Sequence, residues 1–213
     1  MRKRYLGAAG AAAAATGIAL AAVLSTSGTA MATTTVELNE TCQAKEPLSG
    51  DPFVISTTFA GSAPATTTAG AVVTGTGLAQ PWTVPSDIAH APVKEVRDFA
   101  IKLSVSNATV LNATLSGGAN LGSGTPTVTR SGSTVTVNIP GPLTPGSIVQ
   151  LPAINFTMKA GAGGTIKTSL AGTGYDDPGI TVTGIVNQAG GDLTGPATCY
   201  AQSGAALTST VIR

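Results

Sequence analysis

The stretch Pro126-Thr127-Val128-Thr129-Arg130-Ser131-Gly132-Ser133-Thr134-Val135-Thr136-Val137-Asn138-Ile139 decides the fold class. On both sides of Ser131-Gly132-Ser133, β-branched apolar residues alternate with polar ones, the period of a strand with one dry face and one wet face. Gly132 supplies the positive φ that a short hairpin loop demands. The pattern predicts two antiparallel strands, 126–130 and 134–139.

The same signature recurs outward in both directions. Residues 53–59 place Phe53, Ile55, Thr57 and Phe59 on one face, and residues 96–106 place Phe99, Ile101, Leu103 and Val105 on one face with Lys102 and Ser104 on the other. Segments 71–76, 109–115, 148–151, 154–159, 165–170, 180–186 and 207–212 follow, separated by Gly, Pro, Ser and Asn. That makes roughly ten strands at spacings near a dozen residues, with no amphipathic helical stretch among them. The expected fold class is all-β: one antiparallel β-sandwich with Greek-key or immunoglobulin-like connections. Threonine replaces charge on the wet faces, keeping strands soluble while its β-branch keeps the backbone extended. The segment 61–70 reads as a polar, exposed connection.

The first residues carry an address rather than a fold. Met1-Arg2-Lys3-Arg4 is followed by an uncharged run rich in Ala, Gly and Leu, then by Ala30-Met31-Ala32. This is the pattern of a secretory signal peptide helix over residues 1–32, with small residues where the peptidase pockets need them. The mature domain is then 33–213. Export removes three of 11 basic residues, leaving eight against ten acidic ones, a net charge of about −2. Neither nucleic acid nor an anionic lipid surface is an expected partner, since both are drawn in by clustered Lys and Arg. No apolar run in 33–213 is long enough to span a membrane. The end of the chain, Thr210-Val211-Ile212-Arg213, shows no sorting motif or hydrophobic tail, so release or non-covalent retention at the cell envelope is expected.

Two cysteines, Cys42 and Cys199, lie near opposite ends of the exported part. In an oxidising compartment they read as one disulfide closing about 158 residues, worth about 5 kcal/mol at most in the chain-entropy model. A closed zinc site would need more ligands than two Cys and the single His90. No metal and no cofactor are expected.

The run from Leu115-Ser116-Gly117-Gly118 to Gly124-Thr125-Pro126, the break Ile139-Pro140-Gly141-Pro142, the stretch from Leu170-Ala171-Gly172-Thr173 into Tyr175-Asp176-Asp177-Pro178-Gly179, and Thr198-Cys199-Tyr200 carry a resemblance. With the Cys42 segment they resemble a family of small, functionally uncharacterised secreted β-sandwich proteins from actinobacteria. The resemblance spans nearly the whole of 33–213 and implies fold and export. It hands over no catalytic residue.

Three places hold polar or aromatic chemistry. Ser86-Asp87, His90, Lys94-Glu95 and Arg97-Asp98 form the densest polar cluster, but no Gly-x-Ser-x-Gly elbow accompanies it, and it reads first as a solvated connection with surface ion pairs. Asp176 and Asp177 follow Tyr175 in an Asp-Pro-Gly turn, where Asp caps, Pro sets φ and Gly takes the positive φ. As adjacent carboxylates they are also the minimal set for a cation or an acid–base pair. Trp82, the single Trp, stands between Pro81 and Pro85 as a core residue or a stacking platform. The expected function is that of a non-catalytic secreted or envelope-associated domain with a binding or structural role, its candidate partners being cell-wall glycan, lipid or another envelope protein. Trp82, His90, Tyr175, Asp176 and Asp177 are its candidate surface. The alternative is an extracellular hydrolase using Asp87 with His90, or the Asp176/Asp177 pair.

Overall fold

The computed structural model describes residues 30–48, 50, 52–88, 91–188, 190–202 and 204–213. Most of the expected signal peptide, residues 1–29, lies outside the described residues. Sixteen strands are present in this part, and no helix. In chain order they are β1 (Met31–Ala44), β2 (Phe53–Pro64), β3 (Thr66–Thr67), β4 (Val72–Ala79), β5 (Trp82–Thr83), β6 (Asp87–Ile88), β7 (Ala91–Ser106) and β8 (Ala108–Ser116). The second half holds β9 (Thr127–Ser131), β10 (Thr134–Ile139), β11 (Ile148–Val149), β12 (Ala153–Ala160), β13 (Gly164–Leu170), β14 (Ile180–Gln188), β15 (Gly191–Ala201) and β16 (Ala206–Ile212).

The fold is an all-β sandwich made from one hydrogen-bonded sheet that turns back on itself without closing. One layer runs β8-β12-β4-β2-β1, and the other contains β9-β10-β7 and β13-β16. β14 and β15 join them, since β14 pairs with β7 on one side and β15 on the other, and β15 pairs with β1. All pairings are antiparallel except the short β3, which lies parallel to β16. β5 and β11 form a separate two-stranded sheet.

The expected hairpin over 126–139 is β9–β10, with Thr134 paired to Ser131 and Gly132 at φ 59°. Its inward row, Val135, Val137 and Ile139, faces the core together with Phe99, Ile101, Leu103 and Val105 of β7 and Ile154, Phe156 and Met158 of β12. Burying each of these side chains contributes about 1.5–3 kcal/mol, so the alternation read in the sequence is the main source of stability.

Three expectations are corrected. The segment 61–70 is an exposed connection only over 68–70: β2 continues to Pro64, and Gly61, Ala63 and Pro64 are buried. Gly61 is required there because a Cβ would stand 1.9 Å from the Leu207 carbonyl oxygen, so β2 and β16 approach backbone to backbone. β1 and β15 were not legible as strands. Within the β7 cluster Arg97 pairs with Glu95, whereas Lys94 reaches out of the cluster to Asp192 on β15. A cut after Ala32 would remove Met31 and Ala32 from β1, where they pair with Pro64 and Ala63.

Candidate functional site

The cysteines meet because β1 and β15 set them in register. Cys42 and Cys199 are direct cross-strand partners, fully buried, and joined as a disulfide. Side chains alternate along β1, so Glu40, two residues before Cys42, points to the same inward face.

That placement is the unusual feature of the core. Glu40 is 0% exposed, and neither carboxylate oxygen has a hydrogen-bond partner. It lines a cavity of about 20 Å³ whose other walls include Phe59, Trp82, Phe99, Ile101 and Ile180, with Cys199 of the disulfide beside it. Burial raises the carboxyl from its ordinary 4.5 to about 7. Its own backbone and the Thr57 hydroxyl oppose the rise without cancelling it, and neither makes a hydrogen bond of good geometry to the carboxyl. Sequence spacing gives no motif here, because the walls come from β2, β5, β7 and β14, strands far apart in the chain. The one available signal is parity with Cys42.

Trp82 forms part of this cavity rather than a platform on open surface. Its ring is half-buried and lies 5.8 Å from the Phe99 ring, tilted by 33°. It reaches that position from β5, where it pairs with Val149 of β11.

The remaining predicted residues are distributed over the surface. Asp87 is exposed on β6 and paired with Pro92 of β7. His90 lies outside the described residues. Asp176 and Asp177 sit in the loop between β13 and β14 and are taken by different lysines. Lys45 Nζ is 3.7 Å from Asp176 and donates to the Tyr175 carbonyl at 3.3 Å, while Lys102 Nζ donates to Asp177 at 3.2 Å. Lys102 and the Pro92 that pairs with Asp87 are ten residues apart on β7, roughly 30 Å along the strand, so the two acidic candidates do not share a site. Tyr175 packs edge to face on Tyr200 at 5.2 Å, which pins the loop next to the disulfide strand. Gly179 does not supply a positive φ as expected; Gly172 does, at 95°. Gly179 is needed for space, since a Cβ would lie 2.0 Å from the Ala171 carbonyl oxygen.

A broad open groove of about 590 Å³ lies at the other end of β1, between Met31, Pro64, Thr66–Thr67, Val72 and Arg213. Met31 and Val72 are exposed there, and Met31 would leave with a cut after Ala32.

The fold has a solved neighbour. A crystal structure titled "Putative membrane anchored protein from Corynebacterium diphtheriae" superposes with a TM-score of 0.51 at 17% sequence identity, over 85% of this chain and 38% of that one. The likeness concerns the fold, and this chain spans well under half of the neighbour's length. No protein-family model matches the chain. No curated protein matches it either.

Proposed function

We propose that the chain is an exported β-sandwich of the cell envelope with a binding or structural role and no catalytic step. The observation that carries this reading is the buried Cys42–Cys199 bond, which belongs to an oxidising compartment and ties the first long strand to β15. The signal pattern of residues 1–32 and the description of the Corynebacterium neighbour as membrane anchored agree with an address outside the cytoplasm. What supports the surface reading is the Tyr175–Asp177 loop, whose exposed carboxylates are each engaged by a different lysine.

Cell fractionation with a pull-down on cell-wall material tests location and partner together. The reading expects the protein in the envelope or medium, beginning after the signal segment and shifting in mobility when reduced. Cytoplasmic protein with free thiols would defeat it. A hydrolytic turnover lost in the Asp87→Ala/His90→Ala double variant would instead establish the hydrolase.

A further inference from the structure

The Glu40 cavity pairs a charge-bearing group with walls that make no hydrogen bond to it. Among the described residues no Lys, Arg, His or second carboxyl lines it, and Cys199 is held in the disulfide, so beside the Thr57 hydroxyl the carboxyl faces Ile55, Phe59, Trp82, Phe99 and their apolar neighbours. A buried carboxyl without donors is destabilising, and the group that relieves it most is a donor carrying positive charge. Three aromatic side chains, Phe59, Trp82 and Phe99, border the same space, and aromatic faces attract cations. The volume of about 20 Å³ admits one water-sized group, which fits an ammonium head and rejects a quaternary one.

The rim defines the rest of the ligand. Among the lining residues only Ile55 and Trp82 are half-buried; the others are closed off from solvent. A chain attached to the ammonium head therefore leaves between two apolar side chains. Trp82 is the more movable of the two, because β5 pairs with the two-residue β11 and stands outside the main sheet.

We propose that the Glu40 cavity is a binding site for the ammonium head of a primary alkylamine, with the alkyl chain passing out between Ile55 and Trp82. Ionised Glu40 accepts the ammonium hydrogen bonds, and Trp82 closes over the head. Because burial keeps the carboxyl protonated up to about pH 7, uptake of the cation expels that proton and tightens as pH rises. The site does not depend on where the protein resides.

Trp82 is the single tryptophan of the chain, so its fluorescence reports on the cavity directly. The probe is n-butylammonium, titrated into the full folded protein at pH 8 and pH 5.5, with n-butanol as the neutral counterpart. The expected result is a saturable change in Trp82 emission at pH 8. Binding weakens about tenfold or more at pH 5.5, for butanol, and in Glu40→Gln. No saturable change with butylammonium overturns the proposal. Equal binding of butanol, or undiminished binding by a folded Glu40→Gln protein, overturns it in favour of a plain apolar slot. Carbon-13 NMR of Glu40 in the unaltered protein gives a readout independent of any variant. Butylammonium should lower the Glu40 ionisation midpoint, and an unmoved midpoint under saturating probe counts against the site.

Discussion

Two neighbouring cavities in the same core share three wall residues and differ in polarity. One, of about 10 Å³, is lined by Gly77, Ala79, Leu103, Val137 and Ile139 among others and is apolar throughout. The other, of about 20 Å³, shares Phe59, Ile101 and Leu151 with it but contains Glu40. The first is at or below the size that holds a water and behaves as ordinary imperfect packing. The second has room for one polar guest and a carboxyl that lacks a partner. β2 and β7 contribute to both; the second draws its other walls from β1, β5, β14 and β15, and its carboxyl comes from β1. The contrast shows how a sandwich can carry a chemically distinct point inside an otherwise uniform core.

Removing the tie beside Glu40 should have the largest effect. Replacing Cys42 and Cys199 together by Ala lowers stability by about 4 kcal/mol in denaturant titration, because a loop of about 158 residues is released. A loss below about 1 kcal/mol would mean that the β1–β15 pairing holds without the bond. On the apolar side, Leu103→Ala costs about 3 kcal/mol and leaves the pH dependence of stability unchanged.

Glu40→Gln sharpens the contrast through pH. Between 4.5 and about 7 the unfolded chain releases the Glu40 proton while the folded chain keeps it, so the folded state binds more protons and stability falls as pH rises. The contribution of neutral Glu40 is fully present below pH 4.5 and is lost across that window. The unaltered protein and Glu40→Gln should match near pH 4, and the variant should be about 3 kcal/mol more stable near pH 8. Parallel stability curves for the two proteins would refute this. The smallest effect is expected at the surface, where Asp177→Ala removes an exposed pair with Lys102 and changes stability by under about 1 kcal/mol in low salt.

The sandwich was legible where its strands keep strict alternation. β7, β10 and β12 present unbroken apolar rows, and the β9–β10 loop contains the required glycine. β1 was missed because its inward row, Leu38-Glu40-Cys42-Ala44, is interrupted by a charge, while its outward row is mostly Thr, Asn and Gln. β15 was missed because Gly191, Gly195 and Pro196 imitate a loop; Pro196 is tolerated in a paired strand opposite Thr183. The site was half legible. Cys42, Cys199 and Trp82 stood out by type and rarity, whereas Glu40 looked like one more surface carboxylate. Its place in the core depends on the pairing of β1 with β15, segments more than 100 residues apart, which no local pattern encodes.

Glu40 is a buried, unpartnered carboxyl inside an aromatic-walled cavity. Its side-chain carboxyl carbon, followed by NMR from pH 3 to 9 in the folded protein without added amine, tests this most directly. The account predicts a single midpoint near pH 7. A midpoint in the ordinary carboxylate range, around 4 to 5, would show a solvated or paired Glu40 and contradict it.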